Sequence, residues 1–213
     1  MPINAATILD SAAGTLLDRA HRTWSAPDLL DYLNEALRAT AFAKPDFYVV
    51  QLEFTLAAGE QQSCPDDAVA LIDVPRNTGG RVITQVDKGL LDESNRFWPA
   101  ATQEVVVEHY TEDPRNPRRF VVFPPNDGTG VVDLVYGAVP PQVNYDTEEI
   151  PVPASYQTAL EQFVIGKCYA KNTKRQDLTK SAAAMQQWGS LLGLKSAAQS
   201  SIAPKVSTQP GTA

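Results

Sequence analysis

Residues 104–137 read EVVVEHYTEDPRNPRRFVVFPPNDGTGVVDLVYG, and this stretch decides the fold. Three short apolar runs stand in it: Val105–Val107, Phe120–Phe123 and Val131–Tyr136. Each is rich in Val, Phe or Tyr and fenced by Pro, Gly, Asn or Asp, the pattern of β-strands broken by turns. In the first run Val105, Val107 and His109 alternate with Glu104, Glu108 and Tyr110, so one face is expected to be wet. The third puts Val132, Leu134 and Tyr136 on one face and Asp133 opposite. The middle run has no polar position, as in a central strand covered on both faces. Asn126-Asp127-Gly128 offers the positive φ angles of a hairpin reversal, and Asp113-Pro114-Arg115-Asn116-Pro117 marks a longer loop. The expectation is an antiparallel three-stranded core.

Upstream, the period is helical. At about 100° per residue, Ile8, Leu9, Ala12, Ala13, Leu16 and Leu17 share one side of a helix running from Ile3 to near Ala20, with Asp10 and Asp18 on the other. In Trp24-Ser25-Ala26-Pro27-Asp28, Ser25 is placed to cap a second helix, with Pro27 in its first turn and Asp28 three residues on. Leu29, Leu30, Leu33, Ala36 and Leu37 form its stripe, and Pro45 ends it. From Phe47 the period becomes two. Strands are expected at Phe47–Leu56, Val69–Val74 (ended by Pro75) and Arg81–Val86, then a helical turn at Gly89–Asn95 and an aromatic anchor at Phe97-Trp98-Pro99. Helix returns at Ala154, where Tyr156, Ala159, Leu160, Phe163, Val164 and Cys168 share a face while Ile165 and Tyr169 lie round the back. Such a helix is either central in its bundle or covered by a second chain. Leu178, Ala182, Met185, Trp188 and Leu192 mark a last stripe.

The sum is an α+β fold: a helical bundle from the N- and C-terminal helices with an inserted antiparallel β domain. Residues 1–44 and 154–194 supply the bundle, 45–153 the insert, and 195–213 a C-terminal tail. The tail, SAAQSSIAPKVSTQPGTA after Lys195, is too poor in apolar residues to offset its ordering entropy, so it is expected to be disordered unless a partner orders it.

Composition narrows the class further. The net charge of −7 is uneven: residues 1–60 carry four basic and eight acidic side chains, 61–153 seven and fifteen, 154–213 seven and two. The body is expected to repel DNA, and the C-terminal part to suit an acidic surface. No membrane span is expected, since nowhere do 18 apolar residues run together, and MPINAATILDSAAG lacks the basic start and apolar block expected of a secretion signal. Cys64 and Cys168, far apart in sequence, read as buried thiols. His21 and His109 lack neighbouring Cys or His at metal spacing. No nucleophile elbow, metalloprotease helix or phosphate loop is present. Gly79-Gly80 precedes a strand rather than a helix. Neither an enzyme site nor a cofactor is expected.

Several groups of residues carry a resemblance. They are Trp24-Ser25-x-x-Asp28-Leu29-Leu30-x-Tyr32-Leu33-Asn34 with Lys44-Pro45-Asp46, Leu71-Ile72-Asp73-Val74 with Arg76-Asn77, and Val86-Asp87-Lys88-x-Leu90-Leu91-Asp92 with Trp98. His109-Tyr110-x-x-Asp113-Pro114-Arg115-x-Pro117-x-x-Phe120 and Pro124-Pro125 complete the set. In this order, over residues 3–194, the chain resembles the head-to-tail adaptor proteins of tailed bacteriophages, the group that includes the tail tubular protein A of short-tailed phages. The resemblance implies a structural virion protein made in the host cytoplasm and built into the neck. It implies a ring, dodecameric in such adaptors, between the portal protein and the tail nozzle or tube protein, with DNA passing through its lumen without sequence-specific binding. By position it implies that the tail orders against the portal. Contacts with portal or with further copies of the chain are then expected at Ile165, Lys167, Tyr169, Lys171, Lys174 and Arg175, and in the tail at Ile202, Lys205 and Val206. A head-closure or capsid-decorating subunit is the alternative within structural proteins, and a hydrolase or transferase with an unfamiliar site is the one outside them.

Overall fold

A computed structural model describes residues 3–94, 96–144 and 146–194. Among them are five helices and nine strands in an α+β arrangement. Strand β1 (Ile3–Asn4) leads into α1 (Ala5–Thr15), capped by Asn4, whose side chain accepts from the Ala6 N–H. Helix α2 (Ala26–Ala43) starts on the expected capping box: Ser25 Oγ accepts from the Asp28 N–H, and the Asp28 carboxylate accepts from the Ser25 N–H. Leu29, Leu33, Ala36 and Leu37 bury its stripe.

After a 3-10 turn at Pro45–Phe47 come β2 (Val49–Thr55), β3 (Gly59–Ser63), β4 (Ala68–Asn77), β5 (Thr84–Gln85), α3 (Lys88–Ser94), β6 (His109–Glu112), β7 (Arg119–Asn126), β8 (Val131–Ala138) and β9 (Glu149–Ile150). Helices α4 (Gln157–Ala170) and α5 (Leu178–Leu191) follow. One sheet has the order β2-β8-β4, a second β3-β7-β6-β5, and β1 pairs with β9 alone. All pairs are antiparallel except β5 with β6. Leu71, Val74, Val132, Leu134 and Tyr136 of the first sheet and Tyr110, Phe120 and Val122 of the second share one hydrophobic cluster, so the sheets form a sandwich. The alternation of Val132, Leu134 and Tyr136 against Asp133 holds, with Asp133 taking hydrogen bonds from Arg76 Nε (2.6 Å) and Thr78 Oγ1 (2.9 Å).

The three-stranded core does not survive as expected. Val105–Val107 forms no strand; strand geometry begins at His109. β7 and β8 are joined by the Asn126-Asp127-Gly128 reversal, yet they lie in different sheets. Pro124 and Pro125 have no N–H for a ladder. The buried Asn126 side chain organises the corner instead, giving hydrogen bonds to the Glu104 and Val105 carbonyls and taking them from Gly128 and Gly130. Gly128 takes φ +94° there, open to glycine without strain. Nor does Pro75 end β4: it sits on an edge strand at a register irregularity, where a missing donor is tolerated. The Arg81–Val86 strand shrinks to Thr84–Gln85. Of the aromatic anchor, Trp98 is buried against Phe123 while Phe97 is exposed.

A second hydrophobic cluster holds the helices together and takes in Phe47, Val69, Val143, Ile150 and Val152. α4 packs on α1, α2 and α5, so its all-round apolar surface is that of a central helix. The Asp28–Lys171 and Glu35–Lys167 pairs show α2 running antiparallel to α4, and Ser181 and Trp188 of α5 meet Gly166 and Phe163, again antiparallel. Ser11 hydrogen-bonds to Glu161 and the Leu16 carbonyl accepts from Arg175 beyond the end of α4, so α1 runs with α4. The α5 stripe is rotated from the expected one: Ser181, Ala184 and Leu192 are buried, Met185 and Trp188 half-buried, and Leu178 and Ala182 exposed.

Candidate interaction surfaces

The molecule has two free ends of different chemistry. At one end of the bundle α1 stops early, because Leu17 takes φ +54° and swings out to 84% exposure. Asp18, expected to face water, is buried. Its carboxylate accepts from the N–H groups of Trp24 (3.0 Å), Thr23 (2.8 Å) and Arg22 (3.0 Å), which hold its pKa below the ordinary Asp value. These bonds lead the chain into Trp24, whose ring lies in the core and whose Nε1 donates to the Cys168 carbonyl at 2.9 Å. The same end carries the α4–α5 loop, where Arg175 Nη1 donates to the Leu16 carbonyl (3.2 Å) and its guanidinium stands 5.9 Å over the Trp24 ring.

Arg19, Arg22, Lys174 and Arg175 are exposed at this end, and none is in an ion pair among the described residues. The acids beside them are occupied. Asp28 is held low by the Lys171 ammonium at 2.8 Å and by Ser25, and Asp177 by the Lys180 N–H and ammonium. The bundle tip is therefore a basic surface on an acidic molecule.

The residues expected to meet partners divide accordingly. Ile165 is only 4% exposed within the helical core; of the two settings its place on α4 allowed, a central helix or one covered by a second chain, the packing of α4 gives the first, and Ile165 presents no surface to a partner. Lys167 is paired with Glu35 at 2.5 Å and Lys171 with Asp28. Tyr169 meets Trp24 edge-to-face at 6.2 Å, with Lys180 over its ring. Lys174 and Arg175 reach the basic tip. Ile202, Lys205 and Val206 lie outside the described residues. Sequence reasoning missed Arg19 and Arg22. Both follow Asp18 within four residues in a segment that counts as acidic overall, and only the burial of Asp18 sets them apart.

At the far end of the sandwich, the buried Asn77 exchanges two hydrogen bonds with the Val107 backbone (2.8 and 2.9 Å), and the Thr78 N–H donates to the Val131 carbonyl. Together with Asn126 this ties residues 76–82, 104–107 and 126–131 into one corner. The corner presents Val82 (74% exposed), Val105 (51%), Val106 and Val131. This end exposes a patch of valines set among Arg81, Glu104 and Asp127, where the bundle tip is basic.

The chemistry elsewhere is sparse. Among the described residues no group of three or more His, Cys, Asp and Glu is arranged to hold a metal ion. Burial pushes the Cys64 thiol up to about 11 and the Cys168 thiol up to about 12, far from a reactive thiolate. His109 is half-buried and stacks on Phe123 at 6.3 Å. A groove of about 630 Å³ on the second sheet is lined by Gln61, Ser63, Lys88, Glu112, Asp113, Arg115 and Arg119. No described helix is long and apolar enough to cross a membrane.

A family model described as SU10 adaptor protein matches residues 3–209, nearly the whole chain. No curated protein matches it.

Proposed function

Because the chain belongs to the SU10 adaptor protein family, we propose that it is a head-to-tail adaptor of a tailed bacteriophage. Copies of it form a ring, of dodecameric order, between the portal and the tail nozzle or tube, and DNA passes through the lumen without sequence-specific contact. The chain does no catalysis in this reading. The observation that carries it is the pair of unlike ends: a basic bundle tip at Arg19, Arg22, Lys174 and Arg175, and a valine patch at Val82, Val105 and Val106. A joint between two different assemblies needs two surfaces that do not compete for one partner. Each contact can be modest, because a closed ring on a symmetric partner multiplies it. The net acidity of the body keeps exiting DNA from sticking.

Co-sedimentation with purified portal and purified tail protein tests this. Arg22→Glu with Lys174→Glu is expected to abolish binding to one partner and spare the other, and Val82→Asp with Val106→Asp to do the reverse. Loss of both by either pair, or of neither, defeats the two-ended reading. Particles that join heads to tails without this protein defeat the adaptor reading itself.

A further inference from the structure

β2 (Val49–Thr55) pairs with β8 through all seven of its residues without a shift of register, and no described strand lies on its other side. The two ends of the ladder fix which way its backbone points: the Leu56 N–H donates to the Gly130 carbonyl, and the Ala138 N–H to the Tyr48 carbonyl. Even-numbered residues therefore bond to β8, and the N–H and C=O groups of Val49, Gln51, Glu53 and Thr55 point to the open edge. The side chains of these four are exposed, and on the core face Val50, Leu52 and Phe54 are only partly covered.

The other edges of the sandwich are defended. β4 is flanked by residues 81–83: Arg76 bridges to Val82, and the Ile83 N–H donates to the Pro75 carbonyl. β5 has two residues. β3 shifts register between Gly59 and Gln61 and runs on to Pro65. β2 has neither Pro, Lys, Arg nor a bulge, the devices that keep an edge from pairing, and Glu53 is its one charge. A bare, regular edge of this length is a template for another strand.

The edge is complementary to itself. We infer that two copies of the chain join through β2, antiparallel about a twofold axis at Leu52, into one continuous sheet of order β4-β8-β2-β2-β8-β4. Gln51 then stands opposite Glu53 and Val49 opposite Thr55, and these are the residues whose outward N–H and C=O groups can exchange hydrogen bonds. On the core face Val50 meets Phe54 and Leu52 meets its own copy, which covers the apolar surface left open. Sliding the strands by two residues one way sets Glu53 against Glu53, and the other way leaves Thr55 without a partner in β2. The antiparallel sense also suits the helices. Phe47, just before β2, is buried among them and Leu56, just after it, in the sandwich, so the two bundles stand at opposite ends of the joined sheet. A twofold contact closes on the pair and does not propagate around a ring, so it belongs to the unassembled chain.

Sedimentation equilibrium of the full chain, with neither portal nor tail protein present, tests this. A reversible monomer–dimer equilibrium is expected. Gln51→Glu sets a second carboxylate opposite Glu53 on both sides of the axis and is expected to weaken the dimer about tenfold. Adding Glu53→Lys to that variant sets opposite charges together and is expected to restore it. Gln51→Pro removes an outward N–H that β8 does not use and is expected to give a monomer whose circular dichroism is unchanged. If that variant does not fold, the charge exchange decides. A chain that stays monomeric at every concentration overturns the inference, and so does a dimer indifferent to Gln51→Glu or not restored by the exchange. Amide hydrogen exchange assigns the edge: Gln51 and Glu53 are expected to be protected where the dimer forms and open where it is diluted. Protection that appears only once portal or tail protein is added gives the edge to that partner and overturns the pairing of copies. Failure here leaves the adaptor reading standing, and failure to bind portal leaves this pairing standing.

Discussion

Asn34 and Val143 exchange two hydrogen bonds of 2.8 Å, the side-chain amide giving one to the backbone carbonyl and taking the other from the backbone N–H. The amide stands in for a strand edge, and it fixes the loop between β8 and β9 to the buried side of α2. Asn77 does the same for Val107. Replacing Asn34 by Ala leaves two enclosed backbone groups without partners, so a loss of about 2–4 kcal/mol is expected. Urea unfolding measures it, and limited proteolysis should show new cuts near residue 143. An unchanged urea midpoint would mean that water satisfies the orphaned groups.

Gly137 faces the carbonyl of Pro45, so closely that an added Cβ collides with that backbone oxygen. This is the junction of β8 with the 3-10 turn that links bundle to sandwich. Gly137→Ala is expected to cost about 1–3 kcal/mol as an overpacked contact, or more if the backbone cannot yield. Thermal unfolding reads the shift. Wild-type stability in the variant would show that the junction has play.

Acid should weaken the fold through named carboxylates. Asp18 is held low by the Trp24, Thr23 and Arg22 N–H groups, and Asp133 by the Arg76 guanidinium and Thr78 hydroxyl. A carboxyl whose pKa falls on folding stabilises the native state at pH above its unfolded value of about 3.9, and that contribution disappears as pH drops through the folded value. Urea midpoints are expected to be level with respect to these groups above about pH 5 and to fall below about pH 4. Asp133→Asn should flatten the descent. Stability that rises on acidification contradicts this assignment.

Neither thiol should react while the chain is folded. Cys64 and Cys168 are buried, with pKa values raised by desolvation to about 11 and about 12. Reaction with a disulfide reagent at neutral pH is expected to follow the rate of unfolding and to accelerate in urea. A fast burst of one equivalent would place one of them at the surface.

Local signals were the legible ones. The capping box at Ser25 and Asp28 and the stripe from Leu29 to Leu37 follow from residues three or four apart, and they form as read. The placing of Val132, Leu134 and Tyr136 on the core face of β8 is as local, and it holds, although Asp133 opposite is itself buried. Sheet membership is not local. The turn at Asn126–Gly128 looks like a hairpin in sequence, but a side chain bonded to residues 104 and 105 and two prolines send β7 and β8 to different sheets. The surfaces were half legible. Lys174 and Arg175 stand out as a basic cluster, whereas Arg19 and Arg22 emerge only once three backbone N–H groups have claimed Asp18. For Ile165 the sequence posed two settings, and packing against three helices selects the interior one.

The pairing of Ile3 with Ile150, and of α1 and α2 with α4, also sets a schedule for synthesis. A nascent chain leaves the ribosome with its first two helices complete and their main partner still unwritten, while the strands between them can already collapse on one another. The greasy flanks of those helices stay open until the codons for α4 are read. A message truncated before Gln157 therefore yields a polypeptide whose sandwich is whole and whose opening helices are bare, a substrate for chaperones and proteases rather than a smaller working subunit.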